Sequence, residues 1–209
     1  MHSIARDAFI CAKAASLAEL PAGSVVGTSS LRRQAQVLRL RPDLRVVPLR
    51  GNVDTRLRKL TEGAADATLL ACAGLVRLGL EDRITARVPA EEMLPAVAQG
   101  AIGIEIRVDG DATAHLLAPI NHQPTALAVT VERAFLAKLD GSCRTPIAGL
   151  AELAAPDRLV FRGMILTPDG RQCHATHREG RPEAGAAMAE DAAAELLAKA
   201  GSDFFRALG

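Results

Sequence analysis

Two features of this chain are equipped for chemistry. Cys143 stands in Asp140-Gly141-Ser142-Cys143-Arg144-Thr145-Pro146, a turn of small residues that leaves a thiol accessible beside an arginine favouring its thiolate. A thiolate there serves as a nucleophile or as a permanent attachment point for a cofactor; the plainer reading is a free cysteine in a loop. The second feature is arginine. Between Leu31 and Leu60 lie eight arginines and one lysine against Asp43 and Asp54, a local surplus of seven in a chain whose formal net charge is +1. Guanidinium is planar, permanently charged and bidentate, so such a concentration suits a site that reads carboxylates or phosphates. The balanced total argues against a nucleic-acid coat or a membrane-surface binder.

These groups need elements to hold them. A chain of 209 residues, 49% hydrophobic and 23% charged, has the make-up of a soluble globular protein of one or two domains. With 2% aromatic residues and neither Trp nor Tyr, the core must be aliphatic and base stacking has little to work with. Four scattered cysteines without a Cys-x-x-Cys pair suggest free thiols in a reducing compartment. No apolar run precedes a cleavage site near Met1 and none is long enough to span a bilayer, so the expected location is cytoplasmic.

The first half alternates strand and helix signals: Ser24–Gly27, a helix capped by Ser29 or Ser30 and stopped by Pro42, Leu44–Leu49, a helix over Val53–Glu62, Asp66–Ala71, and a helix over Ala73–Leu80. This order predicts an α/β unit with a parallel or mixed sheet. Ligands of such sheets gather at the carboxyl ends of the strands, where Gly27-Thr28-Ser29-Ser30 and Arg50-Gly51-Asn52 fall. Arg32, Arg33, Arg50, Arg56 and Arg77 are therefore expected to converge there, with the helix N-terminus offering N–H groups to an anion. The alternative is a capped helix whose arginines are solvated. Further on, Ala101–Arg107 alternates as a strand, Ala112–Ile120 is helical, and a long helix starts near Pro124. Three strands with a Thr167-Pro168-Asp169-Gly170 hairpin turn and a last helix over Pro182–Ala200 then predict a small α+β domain with an antiparallel sheet. Cys173, His174 and His177 do not make a metal site, because residues 174 and 177 face opposite sides of a strand.

Six ordered stretches then carry a resemblance: Gly27-Thr28-Ser29-Ser30-Leu31-Arg32-Arg33-Gln34, Leu49-Arg50-Gly51-Asn52, Thr55-Arg56-Leu57, Ala73 to Gly79, Leu94 to Gly100, and Gly141-Ser142-Cys143. From Arg6 onward the chain resembles the porphobilinogen deaminases, or hydroxymethylbilane synthases. The resemblance implies a transferase that joins four porphobilinogen molecules with loss of ammonia, building hydroxymethylbilane for haem and other tetrapyrroles. It implies a dipyrromethane cofactor in thioether linkage to Cys143, held by Arg32, Arg33, Thr28, Ser29, Ser30, Gln99 and Gly100. Arg50, Arg56 and Arg77 then match substrate-binding arginines. The implied α/β domain, residues 1–100, is of periplasmic-binding-protein type; residues 101–121 complete the family's first domain, and residues 122–209 form the C-terminal domain. The family is usually monomeric and its partner is the small-molecule substrate. The His-Ser-x-Lys-Asp stretch that carries the family's catalytic aspartate is absent from the sequence, which implies that most of the first domain is missing. No catalytic residue is then evident, and the expectations are inactivity of the chain on its own and self-association through Ala101–Ile120. The rival from another class is a non-catalytic module binding an anion or dicarboxylate, which would have no use for an adduct on Cys143.

Overall fold

The computed structural model describes residues 5–141, 145–201 and 204. The N-terminal unit is built on a five-stranded mixed sheet. Its strands are β1 (Asp7–Cys11), β2 (Val25–Gly27), β3 (Arg45–Val47), β4 (Ala67–Ala71) and β5 (Ala86–Arg87), in the order β3-β2-β4-β1-β5. β2 runs parallel to β3 and β4, as the alternating pattern predicts. β1 is the unexpected member: it lies antiparallel between β4 and β5, with Asp7 opposite Ala71. A short Asp-Ala-Phe-Ile-Cys run gives no alternation to read, because helices cover both faces of the sheet and every β1 residue is buried.

Helices α1 (Leu31–Leu40), α2 (Val53–Thr61) and α3 (Cys72–Arg77) follow β2, β3 and β4. The period-two geometry of β1 sorts its side chains between two cores. Phe9 and Cys11 pack with Val26, Val37 and Leu69 on the α1 side, whereas Ala8 and Ile10 join Leu57, Leu70 and Leu75 beside α2 and α3. Asp7 shares the parity of Phe9, so its carboxylate points toward α1. Ser30 caps α1, its hydroxyl accepting from Arg33 N, and Asn52 caps α2 by accepting from Thr55 N.

The C-terminal unit packs α5 (Gln123–Lys138) and α6 (Gly185–Ala200) on a three-stranded antiparallel sheet of β6 (Ile147–Ala155), β7 (Arg158–Leu166) and β8 (Cys173–Gly180). Val131 and Phe135 of α5 meet Phe161 and Ile165 of β7 and the alanine face of α6 in one core. Phe135 and Phe161 pack edge to face with centroids 5.0 Å apart. The architecture is thus α/β followed by α+β. Among the described residues no helix is long and apolar enough to cross a membrane.

One expectation fails. Residues 101–107 form no strand; they run irregularly to α4 (Asp111–Leu117). Ile102, Ile104 and Val108 are 78%, 57% and 105% exposed. The alternation is that of a strand, but no described neighbour pairs with it, and an unpaired strand has no ladder to hold it.

The β7–β8 turn also does more than reverse the chain. Gly170, at φ +71°, sits against the backbone of α1: a Cβ there would lie 2.4 Å from Ala35 O and 2.6 Å from Arg39 N. Gln34 Nε2 donates to Pro168 O at 3.2 Å in the same contact. Gly23 has a similar φ of +77° with nothing within 4 Å. Gly170→Ala is therefore expected to lower the urea midpoint more than Gly23→Ala, whose cost is backbone strain alone at about 1 kcal/mol. Equal losses would mean that the hairpin does not rest on α1.

Candidate anion-binding site

The charged centre of the N-terminal unit is one carboxylate between two guanidiniums. Asp7 is fully buried; Arg32 and Arg33 are 4% and 8% exposed. Asp7 Oδ2 accepts from Arg32 Nη1 at 2.8 Å. Its Oδ1 accepts from Arg32 Nη2 at 3.2 Å, Arg33 Nε at 3.1 Å, Arg33 Nη2 at 2.8 Å and Gln99 Nε2 at 3.0 Å. Burial pushes the Asp7 carboxyl up, but the two guanidiniums outweigh it and hold the group below its ordinary value. Guanidinium remains protonated at such a site, so the cluster carries a net positive charge. Arg32 Nε is buried without a hydrogen-bond partner among the described residues. Neither arginine is the solvated surface side chain of the alternative reading.

The other expected residues divide. Thr28 is buried, its hydroxyl accepting from Ser30 N at 3.2 Å, while Ser29 is exposed. Arg56 lies within electrostatic reach: burial, and then the charge of Arg33, lower its basicity, and its Nε donates to Gly51 O at 2.8 Å. Arg50 and Arg77 are exposed and make no side-chain hydrogen bond among the described residues. The structure therefore joins Arg32, Arg33 and Gln99 through Asp7, sets Arg56 beside them, and leaves Arg50 and Arg77 exposed, without a side-chain hydrogen bond among the described residues. Cys143 lies outside the described residues. His174 stacks edge to face on Phe204, and no group of three His, Cys, Asp or Glu able to hold a metal occurs among the described residues.

The segment from Leu94 to Gln99 is gripped from both units. On one side Gln36, one turn after Arg32, clamps Leu94 in both directions: its Nε2 donates to Leu94 O at 2.9 Å and its Oε1 accepts from Leu94 N at 2.8 Å. Arg32 Nη1 also donates to Leu94 O, at 2.8 Å, and Gln99 Oε1 accepts from Arg32 Nη2 at 3.2 Å. On the other side Gly149 N donates to Pro95 O at 3.0 Å. Glu132 of α5, 4% exposed, accepts from Ala98 N at 2.6 Å and Ala151 N at 2.9 Å. Ala98 needs that anchor, because it holds φ +59° without being glycine. Glu132 also borders a cavity of about 460 Å³ lined by Gln99, Gly100, Ala101, His122 and Thr125. Gln36, Asp7 and Glu132 are the residues that sequence reasoning missed. The signals were slight: Gln36 follows Arg32 at i+4, and Glu132 interrupts the buried stripe of α5.

A buried arginine pair seated on an α/β sheet and keyed to a small α+β unit defines a two-unit protein with a candidate anion site. Family models match both parts: porphobilinogen deaminase, dipyromethane cofactor binding domain, over residues 2–115, and porphobilinogen deaminase, C-terminal domain, over residues 126–198. The porphobilinogen deaminases of Nitrobacter hamburgensis and Paracoccus denitrificans are each 58% identical to it over 200 residues, 96% of this chain. That of Nitrobacter winogradskyi is 56% identical over the same length. The chain belongs to the porphobilinogen deaminase family. It spans 63% of the Nitrobacter relatives' length and 64% of the Paracoccus relative's.

Glu132 generates a pH dependence. Burial, reinforced by the charge of Glu152 and only partly offset by the two amide bonds, pushes its carboxyl up to about 7 from the usual 4.5. The folded chain binds this proton more tightly than the unfolded chain. The stabilising contribution is fully present below about pH 4.5 and is lost as pH rises through 7. Relative to Glu132→Gln, the native chain should lose up to about 3 kcal/mol of unfolding free energy between pH 4.5 and 8. Urea titrations across that range measure it, and curves of native and variant chains that run parallel would contradict the assignment.

Proposed function

We propose that this chain forms the cofactor- and carboxylate-binding part of a hydroxymethylbilane synthase, which condenses four porphobilinogen molecules with loss of ammonia at each step. The observation that carries the reading is the buried cluster of Asp7, Arg32 and Arg33, whose positive charge exceeds what its own carboxylate neutralises. Dipyrromethane, attached through a thioether to Cys143, supplies the pyrrole carbon on which the chain of rings grows. The fit of these residues to it rests on unmatched donors: Arg32 Nε is buried without a hydrogen-bond partner among the described residues, and two guanidiniums face one carboxylate. Arg32, Arg33, Thr28, Ser29, Ser30, Gln99 and Gly100 hold the cofactor's carboxylates and rings. Arg56, Arg50 and Arg77 take those of the incoming pyrroles, whose acetate and propionate groups accumulate as the product lengthens.

The placement of the cysteine loop's root supports this. Thr145 lies four residues from Gly149, which bonds Pro95, so at most about 14 Å of chain separates the root from the gripped segment. Residues 1–100 act as an α/β domain of periplasmic-binding-protein type and residues 122–209 as the domain that carries Cys143. Residues 101–121 bring apolar surface to another domain of the same kind of enzyme, and wherever that surface is left uncovered it favours self-association. The setting is the cytoplasm. The buried acids among the described residues, Asp7 and Glu132, are both occupied by structural partners, so neither is free for proton transfer at a pyrrole nitrogen. The 209 residues assayed on their own with porphobilinogen should yield no uroporphyrin after oxidation; steady turnover would contradict that reading.

Intact-mass measurement after incubation with preformed hydroxymethylbilane tests the central assignment. The native chain should gain the mass of hydroxymethylbilane less one water, a four-ring thioether that a chain without turnover does not cut back to two rings; that gain should be absent from Cys143→Ala and reduced in Arg33→Glu. An adduct that persists in Cys143→Ala would refute the attachment site, and an adduct indifferent to Arg33→Glu would refute the arginine roles.

A further inference from the structure

We infer that Asp7 is a positioning residue that presets the paired guanidiniums of Arg32 and Arg33, so that one carboxylate of a pyrrole ligand lands on the donors Asp7 leaves unused. This deepens the reading above and rests on it. The donor count makes the case. Asp7 takes both terminal nitrogens of Arg32 and the Nε and Nη2 of Arg33. Arg33 Nη1 then makes no hydrogen bond among the described residues, and Arg32 Nε is buried and unpartnered. Two adjacent guanidiniums repel each other, and a free arginine side chain loses rotamer entropy when it is ordered. Asp7 meets both costs before any ligand arrives. It comes from β1, Arg32 and Arg33 from the first turn of α1, and Gln99 from the gripped segment, so three elements fix one orientation.

Two other roles fit the same contacts: an internal competitor that occupies the arginines, and a cross-link with no bearing on ligands. They differ in sign. Removing the Asp7 charge leaves an extra positive charge. If Asp7 merely competes, a carboxylate ligand then binds more tightly; if Asp7 positions, binding weakens despite the stronger field, because the donors lose their aim.

The test is a titration of the cofactor-free chain with porphobilinogen, standing in for one carboxylate-bearing ring of the cofactor, up to millimolar concentrations, followed through the Nε–Hε resonances of Arg32 and Arg33. In the native chain the Arg33 resonance should shift saturably. Asp7→Asn should weaken binding about tenfold or more, the size of one charge-assisted contact. Asp7→Glu, which keeps the charge and lengthens the arm, should recover part of the loss. Should Asp7→Asn fail to fold, Asp7→Glu stands in for it, since it keeps the charge while moving the carboxylate, and should weaken binding severalfold relative to the native chain. Unchanged or tighter binding by Asp7→Asn, or by Asp7→Glu in its place, overturns the proposal. Arg33→Gln separates the two levels: if it leaves native affinity intact, or if porphobilinogen never perturbs Arg33, the site reading itself fails and this inference with it.

Discussion

Two guanidiniums buried beside one carboxylate are the constraint on which the rest of this molecule turns. An isolated buried charge is strongly unfavourable, and an ion pair offsets its desolvation only with good geometry. Asp7 provides that geometry, with both oxygens engaged and five donors around them. The arrangement requires β1 to enter the sheet with its first residue facing α1. It also requires α1 to begin at Ser30, so that Arg32 and Arg33 occupy the first turn. A shift of either element by one residue would turn the carboxylate or a guanidinium away. The surplus positive charge that results is what an anionic ligand can use.

The same helix carries the grip on the second unit. Arg32 and Gln36 lie one turn apart on α1 and hold the backbone of Leu94, and Gln99 returns to Arg32. From the far side Glu132 anchors Ala98, and Gly170 brings the β7–β8 turn onto α1. Arg162 of β7 adds an ion pair to Glu91 at 2.8 Å while also bonding Glu152 at 2.6 Å. Charge in the binding cluster and orientation between the two units therefore share residues, so a disturbance at Arg32 reaches both.

Much of this was legible in the sequence wherever local chemistry decides. A cap at Ser29 or Ser30, the stop at Pro42, the apolar stripe of α5 and the Pro168-Asp169-Gly170 turn announced their elements, because caps, breakers and periodicity act over a few residues. The arginines announced a charged centre, which Arg32 and Arg33 form with Asp7. What escaped was decided over long separations. β1 pairs with a strand sixty residues away, and nothing in Asp-Ala-Phe-Ile-Cys specifies that partner. Asp7 meets α1 only after that pairing forms, so nothing near Arg32 and Arg33 in the sequence shows that they are partly neutralised within the fold. The strand expected at Ala101–Arg107 failed for the converse reason: its alternation is genuine, but an isolated strand has no ladder.

The most direct measurement is a crystal structure of the chain bearing dipyrromethane. The account predicts a pyrrole carboxylate 2.7–3.2 Å from Arg33 Nη1, with the Asp7 contacts to both arginines intact and the thioether on Cys143. A structure in which the ligand's carboxylates all lie elsewhere, or in which Asp7 has been driven off the arginines, would contradict it.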